Sequence, residues 1–206
     1  MAGTRPAIKF VALGCTVILL LAVVWLLLAV PRVIDRTKRE VVKQKQWVAL
    51  TKSWRPPAED VGPDELFPVA VAGLELTAHD DQAAVPEFGI EIAGYHATYA
   101  SEQGTFEVFV YRATELEKEA LFGRVRDAID EADTTHRSIA PINLRLNDRK
   151  SSRLTYSFGP PDQRGVLFWS AGWLFLARTT NDVDAEAFLK SYLEAVNAPE
   201  EGDTKD

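Results

Sequence analysis

Hydrophobic and polar positions alternate with different periods in different parts of the chain, and the change of period marks its organisation. From Phe10 to Val30 there is no alternation: 21 residues run without a charge, and 14 of them are Leu, Ile, Val or Phe. At about 1.5 Å rise per residue such a helix is about 31 Å long, close to the ~30 Å hydrocarbon core of a bilayer. Its apolar side chains supply on the order of −4 to −8 kcal/mol towards insertion. A transmembrane helix is therefore expected at 10–30, after a short tail at 1–9. A cleaved signal peptide fits less well. Its apolar core should be shorter and end in small residues at −3 and −1, whereas a cut after Ala29 would leave Leu27 at −3. Ala12-Leu13-Gly14-Cys15 has a lipobox-like composition but opens the apolar run instead of following it.

Residues 31–54 form a basic stretch without glycine, expected to continue as a helical stalk. Ile34, Val41 and Val48 recur every seventh residue, which hints at a coiled-coil seam, but the intervening positions are Thr37, Gln44 and Thr51. A solvated helical extension of the anchor is the favoured reading; a helix lying on anionic lipid through Trp47 and Trp54 is another. Pro56-Pro57, Gly62-Pro63 and Pro68 then interrupt any helix, so 55–65 is expected to be a Pro-rich linker.

Beyond it the period falls to two. Leu74, Leu76 and Ala78 alternate with Glu75, Thr77 and His79 in a half-buried strand. Strands are also expected at 90–99 and 105–112, with a hairpin turn between them. Thr114 and Glu117 have capping-box spacing, and Leu121, Val125, Ala128, Ile129 and Ala132 follow on one helical face. A meander of strands follows at 139–146, 153–158, 166–169 and 173–178, the last pair joined through Ser170-Ala171-Gly172. A final helix, capped by Asn181 or Asp182, presents Phe188, Leu189, Tyr192, Leu193 and Val196. Several strands carry large apolar residues on both sides, such as Phe106, Val108 and Val110 against Phe109 and Tyr111, and so need cover on both faces. The fold class is α+β: a mostly antiparallel sheet packed by two helices, occupying 66–197, with an acidic disordered tail at 198–206.

Charge sharpens this division. Residues 1–55 hold 10 Lys+Arg against 2 acidic residues, a balance of +8; residues 56–206 hold 13 against 28, a balance of −15. A domain so acidic repels phosphate backbones, and nucleic acid is not an expected partner. The lipid bilayer is, together with a protein partner. The cations on both flanks of the apolar run leave the orientation open. The short tail with Arg5 and Lys9 before a long apolar run favours a signal-anchor with an extracytoplasmic domain; the greater number of cations after the run favours a cytoplasmic one.

Candidate chemistry is sparse. The one cysteine, Cys15, lies in the apolar run, so the domain has neither a disulfide nor a thiol nucleophile. His79, His96 and His136 show no ligand spacing, and no metal or cofactor is expected. The carboxylates at 115, 117 and 119 and at 127, 130, 131 and 133 fit a solvated helix face. Phe168, Trp169, Trp173 and Phe175 cluster around the last hairpin, where they either line a ligand or partner surface or fill the core. The expected function is a non-catalytic interaction or assembly module at the membrane. Alternatives are a sensor or carrier for a small apolar ligand in an aromatic groove, and an enzyme built on His96 or His136.

Overall fold

The computed structural model describes residues 25, 30, 34–35, 37–81, 88–89, 93–102, 104–132, 137–146, 149–158, 163–181 and 184–197. The chain divides into two compact units, Met1–Trp47 and Val48–Asp206. In the first, the described residues are helical, and residues 37–53 are helical throughout (α1). Among the described residues no helix is long and apolar enough to cross a membrane. The run expected to do so, Phe10–Val30, lies outside them except at Trp25 and Val30, as do the N-terminal tail and the C-terminal tail 198–206.

In the second unit the end of α1 is followed by α2 (Pro63–Leu66), β1 (Ala70–Val71), β2 (Leu74–Asp80), β3 (Gly94–Ser101), β4 (Gly104–Arg112), α3 (Glu115–Glu131), β5 (Ser138–Leu146), β6 (Arg149–Phe158), β7 (Gln163–Ser170), β8 (Trp173–Thr179) and α4 (Ala185–Ala195). All eight strands join one antiparallel sheet in the order β1-β2-β3-β4-β8-β7-β6-β5. Two meanders, β1–β4 and β5–β8, thus meet with their last strands side by side in the middle. The α+β class and the mostly antiparallel sheet with helices are as the hydrophobic pattern implies.

Side-chain alternation divides the sheet into two apolar faces. On one, Leu121, Phe122, Val125 and Ile129 of α3 bury Phe109, Tyr111, Leu154, Tyr156, Leu167, Trp169, Leu174 and Leu176. On the other, Phe188 of α4 stacks on Phe106 at 4.2 Å and Tyr192 packs on Phe175 at 6.0 Å. Each helix starts where its sequence supplies an acceptor for otherwise orphaned amides. Thr114 Oγ1 accepts from Glu117 N while Thr114 N donates to Glu117 Oε2, the reciprocal box expected. Asp184 caps α4 through Glu186 N and Ala187 N, so this helix begins later than Asn181 or Asp182 would place it.

The segment preceding the sheet is part of this unit. Trp54 is 1% exposed and meets Phe168 and Phe175 edge-on, at 5.8 and 5.7 Å. Tyr192 Oη donates to Leu66 O at 2.7 Å and Tyr99 Oη to Pro68 O at 3.0 Å. The expected linker therefore contains a turn of helix, α2, and is pinned on both sides: Arg55 N donates to Asn197 Oδ1 at 2.6 Å, and Arg112 pairs with Glu59 at 2.9 Å. Prolines stiffen this segment, but its buried aromatic and aliphatic groups hold it on the sheet.

Two hairpins, β1–β2 and β7–β8, turn through the same dipeptide. Ala72-Gly73 and Ala171-Gly172 all have positive φ, between 50° and 80°. This is the two-residue turn whose twist suits adjoining antiparallel strands, and it demands left-handed backbone at both positions. Glycine accepts that freely, whereas alanine does so at a cost of roughly 1–2 kcal/mol. Ala171→Asn should therefore raise stability by up to about 1 kcal/mol, and Gly172→Val should lower it by more than that. Denaturant midpoints of the two variants check both signs.

Candidate functional site

The four aromatics singled out from the sequence are all buried, and the sheet separates them. Phe168, Trp173 and Phe175 project from the α4 face, where Trp173 stacks on Phe175 at 6.3 Å. Trp169 projects from the α3 face; its Nε1 donates to Ala113 O at 2.8 Å, and the Lys118 ammonium lies 5.2 Å over its ring. Lys118 itself is almost wholly buried, donating to Ser152 Oγ at 3.2 Å and Glu119 Oε1 at 2.5 Å. The four side chains do not share a surface.

Trp173 borders a cavity. Asp81, Ala93, Gly94, Tyr95, Val110, Arg112 and Trp173 line an open groove of about 340 Å³ at the end of the sheet where β3 and β8 begin and β4 ends. Arg112 and Trp173 are register partners, which brings the guanidinium 4.7 Å over the indole. A cation on an indole face is attracted by the ring quadrupole. At the lip, Gly94 passes so close to Tyr111 that a Cβ would lie 2.6 Å from its ring, so any larger residue there would displace the strand. Among its lining residues are the Arg112 guanidinium, the aromatic Tyr95 and Trp173, and Asp81. Such a set can orient a small ligand with an apolar body and a charged end.

The histidines are not brought together. His79 and His96 project from opposite faces of the sheet, since Ala97 partners His79 while Asp80 partners His96. His136 and Asp133 lie outside the described residues. His79 Nε2 is 3.5 Å from Asp64 at the surface. The α3 carboxylates are solvated: Glu115 pairs with Lys150 at 3.0 Å, and Asp130 lies 3.9 Å from Arg137. Among the described residues no group of three His, Cys, Asp or Glu is placed to hold a metal.

His96 belongs instead to a charge row that the sequence did not reveal. Asp80, His96, Glu107 and Arg178 come from β2, β3, β4 and β8 and lie in order across the sheet. His96 Nδ1 is 3.3 Å from Asp80 Oδ2, and its Nε2 is 3.5 Å from Glu107 Oε1. Arg178 Nε donates to Glu107 Oε2 at 2.6 Å. The imidazole stacks on Phe109 at 4.5 Å, and Arg178 lies 4.9 Å over the same ring. A second, smaller cavity of about 120 Å³ opens beside Glu107 and Arg178, lined also by Gln163, Thr179 and Thr180. Only the register of β2, β3 and β4 with one another and with β8, from the other meander, creates the row. Its single local trace is period two in β4, which puts Glu107 on the same face as Phe109.

Contact with Glu107, opposed by burial and supported by Asp80, raises the His96 pKa above its usual value.

Comparison with known proteins adds no family. No protein-family model matches the chain, and no curated protein matches it. Among solved structures it is similar to a GTP-binding regulator from Thermotoga maritima, with 20% identity over 68% of this chain and 91% of that one, and a TM-score of 0.46. A likeness of that degree carries no functional argument.

The charge row has a measurable consequence. Because folding raises the His96 pKa, the stabilisation it gives is complete below the unfolded value of about 6.5. It is lost as pH rises through the folded value. The stability gap between the native chain and His96→Gln should therefore be larger at pH 5.5 than at pH 9. Urea unfolding of both proteins at the two pH values measures it; a gap that widens with pH would refute the assignment.

Proposed function

We propose that the chain is a single-pass membrane protein whose anchor, Phe10–Val30, tethers a non-catalytic interaction or assembly domain to the bilayer. The observation that carries this reading is the 21-residue uncharged run, long enough to cross a hydrocarbon core, placed ahead of a separate compact unit. The distribution of charge supports it. A basic stalk suits the anionic leaflet surface, and an acidic domain is repelled from that surface and kept available to a partner. The domain spends most of its large aromatic side chains on covering both faces of its sheet, as expected of a rigid scaffold that presents its edges and loops. The signal-anchor pattern favours an extracytoplasmic domain; a cytoplasmic one is the alternative, favoured by the cations of the stalk.

Alkaline carbonate washing of membranes tests the tether. The chain should remain in the pellet and begin at its own N-terminus, not after residue 29. Release by carbonate, or a mature chain starting at 30, would refute the anchor. Protease added to intact spheroplasts then reports the side: digestion of the domain places it outside.

A second reading has one specific observation in its favour, the groove of about 340 Å³ in which Arg112 rests on Trp173. In this reading the domain is a sensor or carrier for a small amphipathic acid, its carboxylate on Arg112 and its apolar body on Tyr95 and Trp173. Titration with a series of aromatic and aliphatic monocarboxylates should change tryptophan fluorescence saturably in the native chain and at least tenfold more weakly in Arg112→Gln. Equal response in the two would remove the carrier reading.

A further inference from the structure

Among the described residues of the N-terminal unit, Trp25 and Val30 of the apolar run are exposed, and three further large apolar side chains are exposed on the stalk. Ile34 and Val41 are each 47% exposed, and Val42 is 53% exposed. Ile34 and Val41 stand seven residues apart, so on α-helical geometry they fall on one line, while Val42 lies about 100° round the helix from Val41. The charges beside that line are arranged in a particular way. Glu40 directly precedes Val41, and Lys45 follows it by one turn.

We propose that a second copy of this chain covers this line, forming a short parallel two-stranded coiled coil between Ile34 and Lys45. With Ile34 and Val41 at the a positions, Glu40 takes position g and Lys45 position e of the next heptad. Those two positions face each other across a parallel pair, so Glu40 of each copy meets Lys45 of the other. Both interhelical pairs are attractive. An anionic lipid surface would match Lys38 and Lys45 but would leave Glu40 against like charge. The second copy gives Glu40 a cation, Lys45, and leaves Lys38 at the solvated edge of the seam.

The d positions are Thr37 and Gln44, so the seam is narrow and its intrinsic affinity is low. Two chains held parallel in one bilayer meet at a high effective concentration, which suffices for a weak seam. To that extent the inference rests on the anchored reading.

Disulfide scanning of the full chain in native membranes tests it. In a Cys15→Ser background, single cysteines are placed at Ile34, Val41 and Val42, the membranes are oxidised, and dimer is read on a non-reducing gel. A disulfide needs Cα atoms within about 4.4–6.8 Å, which a parallel seam provides at a but not at the position after it. Ile34→Cys and Val41→Cys should convert mostly to dimer, with Val42→Cys at least fivefold behind. Adding Glu40→Lys should cut the Val41→Cys dimer severalfold, and Glu40→Lys with Lys45→Glu should restore it. Cross-linking at Val42 as efficient as at Val41, or none at any of the three in chain that resists carbonate extraction, overturns the dimer and leaves the anchor standing. Three monomeric cysteines equally shielded from a water-soluble maleimide would mean that lipid covers the line, which also overturns it. Chain recovered in the carbonate supernatant overturns the anchor, and the parallel dimer with it.

Discussion

The domain depends on one constraint: its central strands are apolar on both faces, so the sheet is stable only when sandwiched. β4, β8 and β7 alternate large side chains to either side with hardly a polar interruption. Each aromatic ring buries about 150–250 Å², worth roughly 4–6 kcal/mol of gross transfer energy. α3 covers one face and α4 the other, but α4 has only 11 residues and is too short to span its side. Trp54, Leu66 and Phe67, from the chain ahead of the sheet, complete the cover. That is why the boundary of the compact unit falls at Val48, well before the first strand.

The same constraint decides where polar chemistry can sit. The buried charges Lys118 and Arg153 sit against partners, Lys118 against Ser152 and Glu119 and Arg153 against Glu186, while the row from Asp80 to Arg178 runs out to the exposed Asp80. Ligand-sized space is pushed to the ends of the strands, where Arg112 and Trp173 border the larger groove and Glu107 and Arg178 the smaller. The imidazole of His96 is the member of the row whose charge changes near neutral pH, so the row is a structural element whose strength follows pH.

Much of the fold was legible because it is local. The hydrophobic pattern located seven of the eight strands and period 3.6 the two packing helices; the Thr114–Glu117 box set the start of α3 to the residue. What was missed needed information from elsewhere in the chain. β1 is two residues long and exists because Leu74 and Glu75 pair with it. α2 was hidden by Gly62-Pro63, although proline suits the first turn of a helix. Lys118 and Phe122 face the core beside Leu121, and neither a lysine nor an adjacent aromatic is foreseen by a strict apolar stripe. Arg149 and Lys150 precede the strand expected at 153–158 but are paired in β6. The aromatic cluster showed its residues but not their faces, because hairpin neighbours at odd and even positions point to opposite sides. The charge row was not legible at all, since it is made by register between strands from both meanders.

Rigidity, on this account, comes from a sandwiched sheet closed by its own leading segment. Its central claim is that the leading segment is part of the sandwich, and Trp54, wedged edge-on between Phe168 and Phe175, is the residue on which that rests. Equilibrium urea unfolding of Trp54→Ala against the native chain tests it directly. A loss of about 3–5 kcal/mol, as for a large aromatic removed from a core, is the predicted result. A difference below about 0.5 kcal/mol, typical of an exposed position, would contradict it.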